Sequence, residues 1–343
     1  MAREHSMRTR LTEAFGIRHP ILCAPMALVT GGQLAAAVSR AGGLGVVGGG
    51  YAGALGGEPD LQRELAQVQG LPFGVGFITW ALARAPRALE DALEHSPFCL
   101  FLSFGDPRPF AERIRRAGAR LVCQVQCLRH VDEALEAGAD GIVAQGTEAG
   151  GHGARRSTLP LVPEVADHLA KHSPETLLLA AGGIADGRGL SAALMLGADG
   201  VVVGSRFWSS REALTPTKAT DRAAVATGDD TVRTRAIDSL RGTPWPEEFS
   251  FRVVGNDFTR EWAHRESQAA GAFGSLAAVF AEAKSSENFD VSPIVAGEAI
   301  GLFRDRPSAA SIVEAMAREA ESLLGRGATL DFTGEHRGDS NRG

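Results

Sequence analysis

The chain has little of what marks several protein classes. Four of its 343 residues are cysteine, and none stand in C-x-x-C spacing. Cys23, Cys99, Cys123 and Cys127 each lie in an apolar, strand-like run, a setting that suits buried thiols better than disulfides or a zinc site. No segment is apolar over the roughly 20 residues that cross a bilayer. The opening stretch MAREHSMRTRLTEAFGIRHP has no apolar core of a secretion signal. Lysine and arginine are spread along the chain without blocks, and the net charge is a modest −6. Nothing in this balance points to nucleic acid or to an acidic membrane surface. A small-molecule partner and a cytoplasmic location are the expectation.

What is there is an ordinary globular composition, 44% hydrophobic and 22% charged. The length suffices for one large α/β domain of about 200–250 residues with an appendage, or for two ordinary domains. Short apolar runs alternate with segments of helical spacing. The expected strands are Pro20–Pro25, Leu44–Gly48, Phe73–Thr79, Phe98–Phe104, Arg120–Gln126, Gly141–Gln145, Leu177–Ala181 and Val201–Ser205. Eight buried parallel strands, each followed by a helix, close most economically into a (β/α)8 TIM barrel. The repeated phrases Ala137–Asp140 and Leu196–Asp199, each at a helix-to-strand junction, support that count. After Ser210 the alternation stops. Residues 211–301 are read as an inserted, mainly helical subdomain, with Trp245, Phe249 and Trp262 as candidate lid residues. Residues 302–327 hold the last barrel helix, residues 1–210 the rest of the barrel, and residues 328–343 a disordered tail.

In such a barrel chemistry collects on the loops after the strands, and a phosphate commonly binds the loops after the seventh and eighth. Those loops carry Gly182 and Gly183, then Val203, Gly204 and Ser205. Small residues there let backbone N–H groups face an anion. The loop after the sixth strand, in VAQGTEAGGHGARRS, adds Gln145 at the strand tip, Gly150 and Gly151 for close approach, and His152 above them. Ala24-Pro25-Met26 at the end of the first strand makes an edge suited to a planar ring. A phosphate plus a flat heteroaromatic suggests FMN. The match Gly43-Leu-Gly45-Val-Val-Gly48 to a dinucleotide fingerprint is set aside, because it lies within a strand and opens no helix. Arg337-Gly338-Asp339, an adhesion tripeptide by letter, is read as an accident of the tail.

At HPILCAPMA (19–27), AQGTEAGGHGARRSTLPLVPEV (144–165), LAAGGIADGRG (179–189), VVVGSRF (201–207), TRAIDSLRGTPWP (234–246) and VAGEAIGLFRD (295–305), the sequence resembles the nitronate monooxygenase (2-nitropropane dioxygenase-like) family of FMN barrels. The resemblance implies an enzyme that oxidises nitroalkanes or nitronates with O2 to a carbonyl compound and nitrite. It assigns His152 as catalytic residue and Ala24, Pro25, Met26, Gln145, Gly150 and Gly151 to the flavin or its ribityl chain. Gly182, Gly183, Val203, Gly204 and Ser205 are assigned to the phosphate. Two flavin-side positions depart from the family pattern: Gly76 stands where many members have Asn, and Gln124 (with Gln126 nearby) where some have Lys. No metal is expected, and a homo-oligomer stays open. The same scaffold serves NAD(P)H-dependent quinone or enoyl-thioester reductases, and a flavin-binding barrel without turnover is a further alternative.

Overall fold

The computed structural model describes residues 7–53, 60–271 and 273–327. Eight parallel strands form the central sheet: β1 Ile21–Cys23, β2 Gly45–Gly50, β3 Phe73–Ile78, β4 Cys99–Ser103, β5 Arg120–Val125, β6 Gly141–Gln145, β8 Leu177–Ala181 and β9 Gly200–Val203. Neighbours follow the order β1-β9-β8-β6-β5-β4-β3-β2. The ring closes between β1 and β2, where Cys23 N–H donates to Leu44 O and Leu44 N–H to Ile21 O, both at 3.0 Å. The eight expected runs are these strands, with ends that agree to within two residues; β6 and β8 match at both ends, and β2 runs two residues further than expected. The remaining strand, β7 Gly151–Gly153, pairs outside the barrel.

Two apolar layers hold the barrel. The inner one runs from Leu22, Leu44 and Val46 through Phe101, Val122 and Val143 to Leu179 and Val202. Leu11 and Phe15 of helix Arg10–Phe15 join it. The outer layer packs the alternate strand residues against the surrounding helices. Helix Ala309–Gly327 lies on helices Gly187–Met195 and Gly32–Arg40 and completes the ring. The repeated junction phrase has a physical reason. Gly138 and Gly197 take positive φ, 75° and 96°, which only glycine adopts at no steric cost. The following aspartates then tie neighbouring strands together: Asp140 accepts Leu121 N–H at 2.7 Å and Asp199 accepts Leu178 N–H at 2.9 Å.

Glycines of the rejected fingerprint serve packing. A Cβ on Gly45 would lie 1.9 Å from Ala35 O, and one on Gly48 2.5 Å from Met26 O. Residues 211–301 carry helices Thr217–Ala223, Ala236–Arg241, Asp257–Trp262, Glu266–Gly271 and Phe273–Ser285. They also hold two strands that the reading for helices did not anticipate, β10 Thr231–Thr234 and β11 Ser250–Val254. Among the described residues no helix is long and apolar enough to cross a membrane. The tail 328–343, with Arg337-Gly338-Asp339, lies outside the described residues.

Candidate active site

The loop leaving β6 does not end in open space. Its strand β7 pairs antiparallel with β11, which pairs with β10, and His152 sits directly opposite Phe251. A three-stranded sheet over the barrel mouth therefore presents the histidine. Two arginines of that sheet satisfy the loop's carbonyls. Arg233 donates to Thr147 O at 2.9 Å, Ala149 O at 3.1 Å and Gly153 O at 3.0 Å, and Arg252 donates to Thr147 O at 3.0 Å. Burial, reinforced by Arg252, lowers the Arg233 guanidinium to about 10. Even so it stays charged at neutral pH, and its bonds to carbonyl oxygens are charge-assisted.

His152 is buried, and its ring is sandwiched. Trp245 stacks on it at 3.4 Å between centroids and 9° between planes, and Phe251 lies at 4.4 Å and 21°. Nε2 lies 2.9 and 3.0 Å from the two carboxylate oxygens of Asp238. A carboxylate only accepts, so Nε2 carries the proton and donates it, which leaves Nδ1 as the basic nitrogen. Burial pulls the imidazole below its ordinary value near 6.5, and the Asp238 charge pulls it partly back. The ring is thus neutral at pH 7. Asp238, on helix Ala236–Arg241, was not singled out from sequence, although it stands inside the quoted run TRAIDSLRGTPWP. The available signal was an acidic residue among Ala236, Ile237 and Leu240, all buried with it.

Beneath His152 lies a glutamine cluster. Gln124 and Gln126 donate to Gln145 Oε1 at 3.1 and 3.0 Å, and Gln145 donates to His152 O at 3.2 Å. The resemblance assigns Gln145 to the flavin or its ribityl chain; its amide is held by its neighbours first, which fixes how the tips of β5 and β6 are set. On the opposite rim Thr30 donates to Ala24 O at 2.8 Å and accepts Met26 N–H at 3.2 Å, pinning Ala24, Pro25 and Met26. Gly76 has a local explanation: a Cβ there would lie 2.2 Å from Pro25 Cβ, so the proline edge occupies the space an asparagine would need.

Between these rims stand the glycine loops. Gly182 and Gly183 have φ of 102° and 75°. At Gly204 the nearest atoms to an added Cβ would be Ala24 Cβ and Met26 Sδ, both at 3.7 Å. Glu148 is close to Gly183 but turns its carboxylate to Thr158, accepting from its N–H at 3.0 Å and lying 2.8 Å from its hydroxyl. Ser205 Oγ accepts Gly297 N–H at 2.8 Å, so its own proton is the one it offers. Gly150 is demanded by the chain itself, since a Cβ would meet Ala296 C at 2.5 Å. Ala24, Pro25, Met26, Gln124, Gly150, Gly151, Gly182, Gly204 and Ser205 are half-buried and Gly183 is exposed, whereas Gly76, Gln145, His152 and Val203 are buried.

Aromatic residues wall the mouth. Phe104, following β4, has a positive φ of 65°, a conformation costing a bulky residue about 1–3 kcal/mol. Its ring stands edge-on to Trp245 at 5.1 Å and Phe249 at 5.0 Å. Trp245 donates from Nε1 to Tyr51 Oη at 3.3 Å. Of the three expected lid residues, Trp245 and Phe249 are here. Trp262 is not; it packs against the apolar cluster of Leu240, Phe258 and Phe280, which reaches the site only through Phe251.

The nitronate monooxygenase family model matches residues 8–95 and 87–319. The chain belongs to the nitronate monooxygenase family. The nitronate monooxygenase npaC of Metarhizium robertsii is 38% identical over 89% of this chain and 91% of that protein. Among solved structures, FabK of Thermotoga maritima superposes with a TM-score of 0.81 at 28% identity, covering 94% of this chain and 99% of that one. Nitroalkane oxidase of Streptomyces ansochromogenes superposes with 0.77 at 26% identity, covering 94% and 100%. The matched range of the family model takes in the barrel strands, the His152 loop and the segment carrying Asp238 and Trp245.

Proposed function

We propose that this member of the nitronate monooxygenase family oxidises alkyl nitronates and nitroalkanes with FMN and O2, and that His152 is the group that meets the substrate. The observation that carries the assignment is the Asp238–His152 pair. A neutral imidazole held in one tautomer by a buried carboxylate, with the other nitrogen basic, is the arrangement a general base requires. The nitro group acidifies the α C–H of a nitroalkane; Nδ1 takes that proton, and Asp238 stabilises the imidazolium that results. With a preformed nitronate no proton need be removed, and an imidazolium at the same place holds the anion.

The cradle fits one terminal phosphate. Gly182 and Gly183 in left-handed conformations and the bare backbone at Gly204 offer N–H groups, Ser205 offers its hydroxyl proton, and Val203 fixes the strand end. The dinucleotide-like run Gly43–Gly48 is absorbed by packing around β2, which favours FMN over FAD. Ala24, Pro25, Met26 and Gly76 would line one side of the ring, with Gln124, Gln145, Gly150 and Gly151 on the other. When bound, FMN supplies the acceptor for the substrate's electrons and the donor to O2. Trp245 and Phe251 exclude water from His152, so a charge formed there interacts strongly with Asp238. The same proposal takes residues 211–301 as a subdomain covering the substrate, and the protein as a cytoplasmic enzyme.

The test is the visible spectrum of the purified protein, mixed anaerobically first with NADH or NADPH and then with an alkyl nitronate. Rapid bleaching by the nitronate, with slow or no bleaching by the nicotinamides, is expected. The reverse would make the protein a reductase, and no bleaching by either would leave a flavin-binding barrel without turnover.

A further inference from the structure

Phe104 combines three features that no other residue of the site shares. Its backbone is held in the left-handed region, and both sides of the turn are fixed. Trp80 N–H donates to Phe104 O at 3.2 Å, and the next residue, Gly105, lies so close to the end of β3 that a Cβ would be 3.0 Å from Trp80 N. The ring faces His152 edge-on, at 6.3 Å and 71°. The residue also lines a cavity of about 180 Å³, whose walls include Gln124, Gln126, His130, Pro246 and Phe249 but not His152. The remaining approaches to the imidazole are taken: Trp245 and Phe251 cover its faces, and Asp238 holds Nε2. A strained backbone imposed by its surroundings, aiming one large ring at the reacting group, suggests a purpose for the ring.

We propose that Phe104 is the specificity-determining residue of the nitronate site: its ring separates the space beside His152 from this cavity and so sets the longest alkyl chain the site accepts. The inference rests on the reading of His152 as the group that meets the nitronate. A short chain fits in front of the ring. A long chain must displace it, against Trp245, Phe249 and a backbone that cannot relax. Without the ring, the cavity becomes a continuation of the substrate pocket with room for further methylenes.

The experiment compares kcat/KM for ethyl and hexyl nitronate in the wild type, Phe104→Ala and Phe104→Asn. Asparagine tolerates the left-handed backbone yet lacks the ring, so agreement between the two variants separates the ring from the strain and guards against misfolding of one. The hexyl-to-ethyl ratio should rise by on the order of tenfold or more in both variants, the usual worth of methylenes gaining or losing a pocket. A second readout needs no turnover. Tryptophan-fluorescence titration with propanoate and heptanoate, anions of similar charge and shape, should show heptanoate binding tightened in the variants and propanoate unchanged. An unchanged ratio, or equal losses on both chains with carboxylate binding unmoved, would make Phe104 a structural residue and overturn the proposal. A wild type that turns over both nitronates equally well would overturn the chain-length limit. A wild type that consumes neither would instead bring down the reading of His152.

Discussion

The barrel and the inserted segment contribute opposite things to one site. From the barrel, beside His152, Phe104 and the glutamines of β5 and β6, come small residues and backbone: Ala24, Gly76, Gly150, Gly151, Gly182, Gly183 and Gly204. From residues 211–301 come bulk and charge: Arg233, Asp238, Trp245, Phe249, Phe251 and Arg252. The division follows from what each architecture does well. Parallel strands locked by ladder hydrogen bonds fix backbone positions closely, which suits an anion cradle. A parallel barrel has little room for a buried carboxylate, because its interior is filled by apolar layers. The partner of His152 is therefore brought from outside, 86 residues along the chain.

If the barrel's share is the cofactor, the largest effect comes from charging its cradle. Gly183→Asp together with Gly204→Asp should give protein without bound flavin, seen as loss of the visible absorbance. The neutral pair Gly183→Asn with Gly204→Asn, of the same shape, should keep more of it. Full flavin in the aspartate double variant would place the phosphate elsewhere. Next in size is His152→Ala. Turnover of neutral nitroalkane should fall by about 10²–10⁴-fold, the worth of a positioned acid/base group. Preformed nitronate should lose only an anion contact, about 1.5–3 kcal/mol. Equal losses on both substrates would argue for an electrostatic role.

The insert's share is tested by Asp238. Removing the carboxylate with Asp238→Ala leaves Nε2–H unpaired and should cost about 1.5–3 kcal/mol, or about 10- to 150-fold in nitroalkane turnover, with flavin content kept. The pH profile sharpens this. His152 must be neutral to act as base, so the rate falls on the acid side as the imidazole protonates. Because Asp238 raises the His152 pKa, Asp238→Asn should move that acid limb to lower pH. A limb that stays in place would show that another group sets it.

The same contrast explains what was legible in the sequence. Barrel strands were readable because burial on both faces makes each a continuous apolar run, and the glycine loops because they follow those runs at known places. Gly76 was flagged as a departure, but its cause, the approach of Pro25, is a contact between residues 51 positions apart that no local pattern carries. β11 offered a local signal: in Ser250–Val254, Phe251 and Val253 point one way and Arg252 the other, a period of two. The end of clean β/α alternation after Ser210 points to helices instead, and a five-residue strand does not outweigh it. Asp238 and Trp245 lay in a quoted motif, yet their pairing with His152 depends on how the β7–β11 sheet folds over the mouth. Trp262 shows the converse, an aromatic in the right segment that packs elsewhere.

The smallest expected effects set the two regions against each other with one kind of substitution. Gly76→Ala places a Cβ 2.2 Å from Pro25 Cβ and 2.4 Å from its Cγ, inside a barrel whose backbone cannot move aside. It should destabilise the fold by about 1–3 kcal/mol, the cost of overpacking a filled core, read as a lower denaturant midpoint. Gly274→Ala, in helix Phe273–Ser285 of the insert, has nothing within 4 Å of the added Cβ. There the methyl only restricts the unfolded chain and improves helix propensity, so stability should rise by about 0.4–1 kcal/mol. Opposite signs would confirm that the barrel mouth is held by close contact while this helix of the insert has slack. The same sign at both positions would erase that distinction: a neutral Gly76→Ala would mean that the Pro25 edge can yield, and with it the side of the pocket assigned to the flavin ring.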